Sequence, residues 1–282
     1  MSDPENKTAP GPWGAATDAG ETHAQAPRPE PSRRVAEGGQ HPAVALASTA
    51  LLGAFLWWAM GSWIFAVSGI FGLLVHEYGH VLAMNRLGMG PARIHIVAFL
   101  GGVARGQRPP ADEWRGVLVS LAGPAFGLLA MLPFVAVWML TGGGLWLLGA
   151  WFIALINLLN LAPAPPLDGS KALGPVLARV HPTLEKAALL LVGALAVIWG
   201  VTQGSYLFAG FLALSVFQHM RRGAWRSDAG PLTWAQAGRS LGLYLITAAV
   251  CGAAAIAAVL PLTGGSIPGA AVFGLRYFGV NL

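Results

Sequence analysis

The apolar run from Trp63 to Ala83 constrains this chain most, because it is long enough to cross a lipid bilayer and yet contains ionisable side chains. These side chains form the pattern His76-Glu77-x-x-His80. Residues four apart share one face of a helix, so His76 and His80 can present two imidazoles to one Zn²⁺, with Glu77 beside them as general base. Because ionisable groups are costly inside a membrane, the run predicts a functional metal site. The alternative is two interior histidines bonded to carbonyls, with Glu77 paired to one of them.

A catalytic zinc site of this kind takes a third protein ligand, and few carboxylates follow the motif. They are Asp112, Glu113, Asp168, Glu185 and Asp228. Asp168 stands apart, because it closes the segment NLAPAPPLDG at 160–169, where an apolar run ends and prolines prevent the helix from continuing. We expect this segment to turn back toward the membrane; an ordinary loop between helices is the alternative. The other four carboxylates are expected in charged, water-exposed loops.

Two of these segments resemble the site-2 proteases, a family of intramembrane zinc metalloproteases. The sequence HEYGH at 76–80 is similar to the family's HExxH helix, and NLAPAPPLDG to its NxxPxPxLDG motif, whose aspartate is the third zinc ligand. Weaker similarities are FLGGV at 99–103 and LAGP at 121–124. Family members often carry Asn three residues after that proline, where this chain has Gly127. The resemblance covers about residues 63–175.

The resemblance implies an enzyme, a zinc endopeptidase that hydrolyses a peptide bond in or near a transmembrane segment of a membrane protein substrate. It assigns one Zn²⁺ per chain to His76, His80 and Asp168, and Glu77 becomes the general base. Asn160 is expected to donate its amide to the substrate or the oxyanion, unless it only caps the end of its helix. No loop is long enough for a PDZ or CBS domain of the kind some relatives carry, which predicts a compact type.

Two other functions stay open from the sequence. A membrane metal carrier could also line its path with His and carboxylate, but it would need ligands at several depths, and the sequence offers one cluster. A catalytically silent relative could act as a membrane scaffold, although the four residues His76, Glu77, His80 and Asp168 are all intact.

The composition is that of an integral membrane protein, with 55% hydrophobic residues, 10% charged residues and a mean hydropathy of +0.60. The net positive charge does not indicate a nucleic-acid partner, because the basic residues lie in short loops that flank apolar runs. The expected partners are therefore the lipid bilayer and a transmembrane protein substrate, with no oligomeric state indicated. Cys251 is the single cysteine, which excludes an intrachain disulfide and a metal site built from several cysteines.

The apolar runs predict an all-α polytopic membrane protein with about seven transmembrane helices. The runs are approximately 43–60, 63–85, 115–140, 144–162, 186–202, 204–220 and 239–260. Of the 17 Lys and Arg residues, all except Arg276 fall on one side of this alternation. The positive-inside rule therefore predicts a multi-pass protein of the inner (cytoplasmic) membrane, with its N-terminus in the cytoplasm and its C-terminus outside.

Three regions are expected along the chain. Residues 1–42 are rich in proline and lack an apolar period, which predicts a disordered cytoplasmic tail. Residues 43–262 form the transmembrane metalloprotease domain, and 263–282 a C-terminal segment at the outer membrane interface. Within the domain, the β-rich stretch 93–105 predicts a short re-entrant hairpin near the active site, with Gly101 and Gly102 between its strands. Such a hairpin could hold an extended substrate by strand addition; a membrane-surface loop is the alternative.

Overall fold

The computed structural model of the protein describes residues 40–97, 101–204, 206–222 and 230–277. Residues 1–39 of the predicted tail (1–42) lie outside the described residues. Asp228 also lies outside them. The C-terminal segment predicted at 263–282 is described as far as residue 277. Within these ranges the regular secondary structure is helical apart from one pair of strands.

The helices are α1 (Pro42–Met60), α2 (Trp63–Arg86), α3 (Glu113–Gly127), α4 (Met131–Thr141), α5 (Gly144–Asn160), α6 (Asp168–Val180), α7 (Pro182–Thr202), α8 (Tyr206–Arg222), α9 (Trp234–Val259) and α10 (Ile267–Tyr277). The strands β1 (Arg93–Val97) and β2 (Gly101–Arg105) pair antiparallel. The prediction of a helical membrane protein with a short hairpin is confirmed.

Every predicted apolar run forms a helix. In the described part of the chain, 5 helical segments are long and apolar enough to cross a membrane: α1, α2, the pair α3–α4, α7, and α9 with the turn after it. The two remaining runs form shorter helices, because α5 and α8 have 17 residues each. Large apolar side chains cover the outside of the bundle, among them Trp58 at 80% and Leu140 at 85% exposure. Lipid rather than water is the solvent that such a surface fits.

The run predicted at 115–140 is interrupted by a 3-10 turn at Leu128–Ala130, which separates α3 from α4. Proline explains the break, because Pro133 has no N–H to offer the Leu129 carbonyl and Pro124 removes another donor within α3. The sequence also predicts that the segment around Pro124 packs on α2. It does so closely, since a Cβ built on Gly79 would lie 2.5 Å from the Ala122 carbonyl oxygen.

The core fixes α2 against α4 and α5. Its largest cluster joins Ile64 and Phe65 of α2 to Phe134 of α4 and to Phe152 and Ile153 of α5. The ring centroids of Phe65 and Phe152 are 5.1 Å apart in an edge-to-face arrangement, which is a favourable geometry for aromatic pairs. The helix that carries the HExxH pattern is thus held on its sides by apolar contacts from neighbouring helices.

The proline-rich segment after α5 turns within a few residues and leads directly into α6, a helix that the sequence analysis did not predict. The turn is anchored inside the protein, because Leu161 and Ala164 are buried and the Tyr244 hydroxyl of α9 donates a hydrogen bond to the Leu161 carbonyl at 2.7 Å. Asp168 is the first residue of α6. The predicted change of direction before Asp168 is therefore present as a tight turn followed by a helix.

Two carboxylates lie elsewhere than predicted. Glu113 and Glu185 were expected in water, but they are 3% and 4% exposed. The Leu232 N–H donates to the Glu113 carboxylate at 3.2 Å, and Gly174 leaves room for the carboxylate of Glu185. The expectation of water exposure is wrong because Glu113 meets a segment distant in sequence and Glu185 packs against the preceding helix, α6. Asp112, in contrast, is partly exposed and caps α3 by accepting the Arg115 N–H at 2.8 Å.

The hairpin places its glycines within β2 and not between the strands. Gly102 pairs with Ile96, and Ala104 with Ile94. The outer edge of β1 is engaged at Ile96, whose N–H donates to the Gln40 side chain at 2.8 Å and whose carbonyl accepts from it at 2.7 Å. Because one amide supplies both an acceptor and a donor, Gln40 pairs with β1 as a residue of a third strand would.

Candidate metal centre

Helix α2 presents His76 and His80 on one face, as their spacing predicts. Both side chains are buried, and their Nε2 atoms lie 3.1 Å apart. The imidazole rings stand nearly perpendicular, with an angle of 81° between their planes. This arrangement aims two nitrogen atoms at one point inside the helical bundle.

Asp168 brings the third atom to this point from α6. Its Oδ2 lies 3.0 Å from His76 Nε2 and 3.1 Å from His80 Nε2, and the side chain is buried. Among the described residues, these three form the group that could hold a metal ion. The structure therefore brings His76, His80 and Asp168 together, as the sequence analysis predicts.

The outer nitrogen of each imidazole has an oxygen partner. The Nδ1 of His76 lies 2.9 Å from the Asn157 side-chain oxygen, and the Nδ1 of His80 lies 2.8 Å from the Val119 carbonyl. Oxygen acceptors at these positions place a proton on each Nδ1, so each neutral ring directs a lone pair from Nε2 to the inside. Metal-binding histidines in proteins are commonly oriented in this way.

The three inward atoms fit a zinc ion. Two lone pairs and a carboxylate oxygen within 3.1 Å of one another repel unless a cation lies between them. Zinc bonds of about 2.0–2.1 Å in tetrahedral geometry put neighbouring ligand atoms about 3.3 Å apart, close to the separations found here. Two imidazoles and one carboxylate are also a ligand set typical of catalytic zinc, which keeps a fourth position open.

Helix α3 leaves the space for an ion by carrying a glycine at its closest approach. A Cβ built on Gly123 would clash with His80 Nε2 and would lie 2.7 Å from His76 Nε2. The helix can pass the two imidazoles only because this position has no side chain. The glycine of the LAGP segment at 121–124 therefore leaves the space that the metal centre needs.

The charge at Asp168 is also fixed by its neighbours. Burial alone would disfavour the charged form of the Asp168 carboxyl, and the Lys171 ammonium beside it favours that form. The Lys171 ammonium lies 3.7 Å from Oδ1, the oxygen that does not face the imidazoles. Asp168 is therefore a carboxylate, with one oxygen directed to the histidines and the other to a lysine.

Glu77 is held by the hairpin. The Ala104 N–H of β2 donates to Glu77 Oε2 at 2.7 Å, and the Glu77 side chain is buried. The strand can approach so closely because Gly102 has no side chain, since a Cβ there would lie 2.5 Å from Glu77 Cγ. This contact explains why glycine stands in β2, where the sequence analysis predicted a turn.

Asn160 is placed apart from these contacts. It ends α5, and its amide donates to the Ile156 carbonyl of the same helix at 3.1 Å. Its predicted catalytic role stays a prediction. Asn157, which contacts His76 directly, is not among the residues predicted from the sequence. A neutral amide within the apolar run of α5 was the available signal, because a polar group there needs a partner.

Comparison with known proteins gives partial similarity to two named proteins. The chain is 30% identical over 146 residues to "Putative zinc metalloprotease Rip3" of Mycobacterium tuberculosis, an alignment that covers 48% of this chain and 36% of that protein. It is 29% identical over 125 residues to "Putative zinc metalloprotease sll0528" of Synechocystis, covering 42% of this chain and 32% of that protein. The chain thus spans about a third of the length of the curated relatives it matches.

No family model matches the chain, and no solved structure matches it. The partial similarity and the buried cluster of His76, His80 and Asp168 are independent observations, since the cluster is seen in the geometry alone. The chain is a multi-pass helical membrane protein that carries a candidate metal site and is distantly homologous, over part of its length, to proteins named as zinc metalloproteases.

Proposed function

We propose that this protein is an intramembrane zinc endopeptidase of the site-2 protease type, which cleaves a membrane protein in or near a transmembrane segment. One observation carries the proposal. His76 and His80, on a membrane helix that also bears Glu77, and Asp168 of α6 bring their ligand atoms within 3.1 Å of one another. Partial similarity to proteins named as zinc metalloproteases supports it.

His76 and His80 would hold the zinc ion through Nε2, and Asp168 through Oδ2. When bound, Zn²⁺ supplies a Lewis acid and lowers the pKa of a coordinated water to about 7. Other residues of the chain orient these ligands and shield the site from water. Asn157 and Val119 keep both imidazoles in the Nδ1–H form, so their inward nitrogens stay available. Apolar packing around α2 excludes bulk water and strengthens the electrostatic contacts.

Glu77 is the proposed general base and acid. It accepts the proton of the attacking water and passes it to the nitrogen of the leaving amine, so that one carboxylate serves both transfers. The Ala104 N–H fixes Oε2 by a hydrogen bond and leaves Oε1 to carry the proton. Asn160 keeps its proposed role as an amide donor toward the substrate, for which its side chain would release the Ile156 carbonyl.

The proposed substrate binds in an extended form. A peptide bond within a transmembrane helix is shielded by the helix's own hydrogen bonds, so local unwinding must precede cleavage. The hairpin offers a strand edge for the unwound segment, and Gln40 already demonstrates pairing with that edge at Ile96. In this proposal the substrate strand displaces the Gln40 amide from β1.

The proposed location is the inner membrane, with the N-terminus in the cytoplasm. The distribution of basic residues supports this orientation. In α2, His80 precedes Arg86 by six residues, or about 9 Å at 1.5 Å per residue, which puts the metal centre close to the basic side of the membrane. The bilayer itself is thus a partner of the protein.

The function is tested by metal analysis and cleavage on the same preparation. Wild-type protein, purified in detergent and reconstituted with a single-span membrane protein, should contain one zinc per chain and cut the substrate. Chelation should stop cleavage, and added zinc should restore it. The matched control is His181→Ala, because His181 is an exposed histidine at the start of α7, outside both the metal cluster and the hairpin. Cleavage that persists in zinc-free protein would overturn the proposal, and zinc transport into vesicles without cleavage would favour a metal carrier.

A further inference from the structure

Asn157 is a polar side chain in a place where polar groups are costly. It lies in the apolar helix α5 and is 0% exposed. An amide buried without partners costs a few kcal/mol, so its hydrogen bonds should be complete and its presence needs a reason. The reason is found in the two atoms that its amide contacts.

Both ends of the Asn157 amide are engaged. Its Nδ2 donates to the Ile153 carbonyl one helical turn earlier at 2.8 Å, and its Oδ1 faces His76 Nδ1 at 2.9 Å. The first bond fixes which end of the amide is the oxygen, since a carbonyl accepts and does not donate. The second bond then places the proton of His76 on Nδ1 and directs Nε2 to the metal centre.

The two imidazoles are thus held by different kinds of acceptor. His80 is oriented by the Val119 backbone carbonyl, which no substitution at Val119 removes. His76 is oriented by a side chain, and that side chain can be changed. Asn157 is therefore the position through which the sequence sets the orientation of one proposed zinc ligand.

Helix α3 makes room for this contact at Gly127. A Cβ built there would clash with Asn157 Oδ1 and would lie 2.7 Å from both Cγ and Nδ2 of the same residue. Any side chain at position 127 must therefore displace the amide of Asn157. The space beside His76 can be filled from α3 or from α5, and in this chain α5 fills it.

We infer that Asn157 and Gly127 form a coupled pair that positions His76 for metal binding, with Asn157 as the positioning residue and Gly127 as the gap that admits it. The inference rests on the metal centre of the proposed function, and it assigns no contact with substrate to either residue. Coupling of this kind predicts that the effect on zinc affinity of adding a methyl group at position 127 depends on whether position 157 carries an amide.

The test is a double-mutant cycle read by metal affinity. Asn157→Ala should lower the zinc affinity about 10- to 100-fold, the usual effect of removing a hydrogen-bond partner behind a metal ligand. Gly127→Ala should lower it too, by pushing the amide from His76. The double variant should bind zinc no more weakly than Asn157→Ala, because the methyl group then enters empty space. If the fold-losses of zinc affinity in the two single variants multiply in the double variant, the coupling is overturned.

A spectroscopic readout separates positioning from loss of fold. Cobalt-substituted Asn157→Ala should show shifted d–d bands, since reorientation of His76 changes the ligand field, while the protein stays monodisperse. Thr247→Ala is the control, because the Thr247 hydroxyl donates to the Leu243 carbonyl within α9 at 2.7 Å, outside the metal cluster, so metal affinity and the cobalt spectrum should stay unchanged. Wild-type affinity and spectrum in Asn157→Ala would refute the inference and leave the proposed function intact. If the wild-type protein and Asp168→Ala bind zinc equally weakly, the metal centre itself is refuted, and the inference with it.

Discussion

Replacing Gly123 with Ala should remove zinc from a protein that remains folded. The added Cβ would lie 2.7 Å from His76 Nε2 and nearer still to His80. Ordinary contacts of this type are about 3.4 Å or longer, so α3 or His76 must move by about 0.7 Å, and α3 or His80 by more. Metal–ligand distances tolerate about 0.2 Å, so at least one ligand leaves its position.

The expected loss of zinc affinity is at least about 100-fold, which corresponds to about 2.7 kcal/mol. Helix propensity acts in the opposite direction, because Ala is favoured over Gly by about 1 kcal/mol within a helix. A metal defect in Gly123→Ala therefore cannot be attributed to a weaker helix. Gly252→Ala in α9 is the matched control, since nothing lies within 4 Å of a Cβ built there.

The assay is a zinc competition titration against a chromophoric chelator, with thermal unfolding in detergent recorded on the same samples. Gly252→Ala should bind zinc as the wild type does and unfold at the same or a higher temperature. Wild-type zinc affinity in folded Gly123→Ala would refute the reasoning, because it would show that the space at position 123 is not the space of the ion.

Other substitutions test other contacts. Asp168→Ala should lower the zinc content and abolish cleavage together, whereas Asp112→Ala should retain zinc, since Asp112 caps α3 at the surface; the reverse result would place the site elsewhere. Gln40→Ala should raise the cleavage rate severalfold if the substrate strand takes its place at Ile96, and an unchanged rate would argue against strand addition on β1. Deleting residues 1–35 should leave a folded, active core in detergent; loss of monodisperse protein would show that the tail is structural.

The sequence predicts those features that local patterns determine. The spacing of His76 and His80 places them on one helical face, and the prolines before Asp168 require a change of direction there. Each of these two features is determined by a few residues that are neighbours in the sequence. The apolar runs likewise predict helices, because length and hydropathy suffice for that assignment.

The features that were not predicted depend on contacts between distant segments. Asn157 contacts His76 across 81 residues, and Leu232 bonds to Glu113 across 119. The Val119 carbonyl that orients His80 has no signature in the sequence, because every residue has a carbonyl. Helix α6 was missed for another reason, since its glycines, internal proline and charges give it no continuous apolar run.

The central claim, that Glu77 carries out proton transfer at a zinc ion it does not bind, is tested most directly by Glu77→Gln. Glutamine has nearly the same shape, and its side-chain oxygen can still accept the Ala104 N–H, so the hairpin should keep its place. This variant should contain one zinc per chain, and cleavage of the reconstituted substrate should be abolished. Cleavage at the wild-type rate, or loss of zinc together with activity, would contradict it.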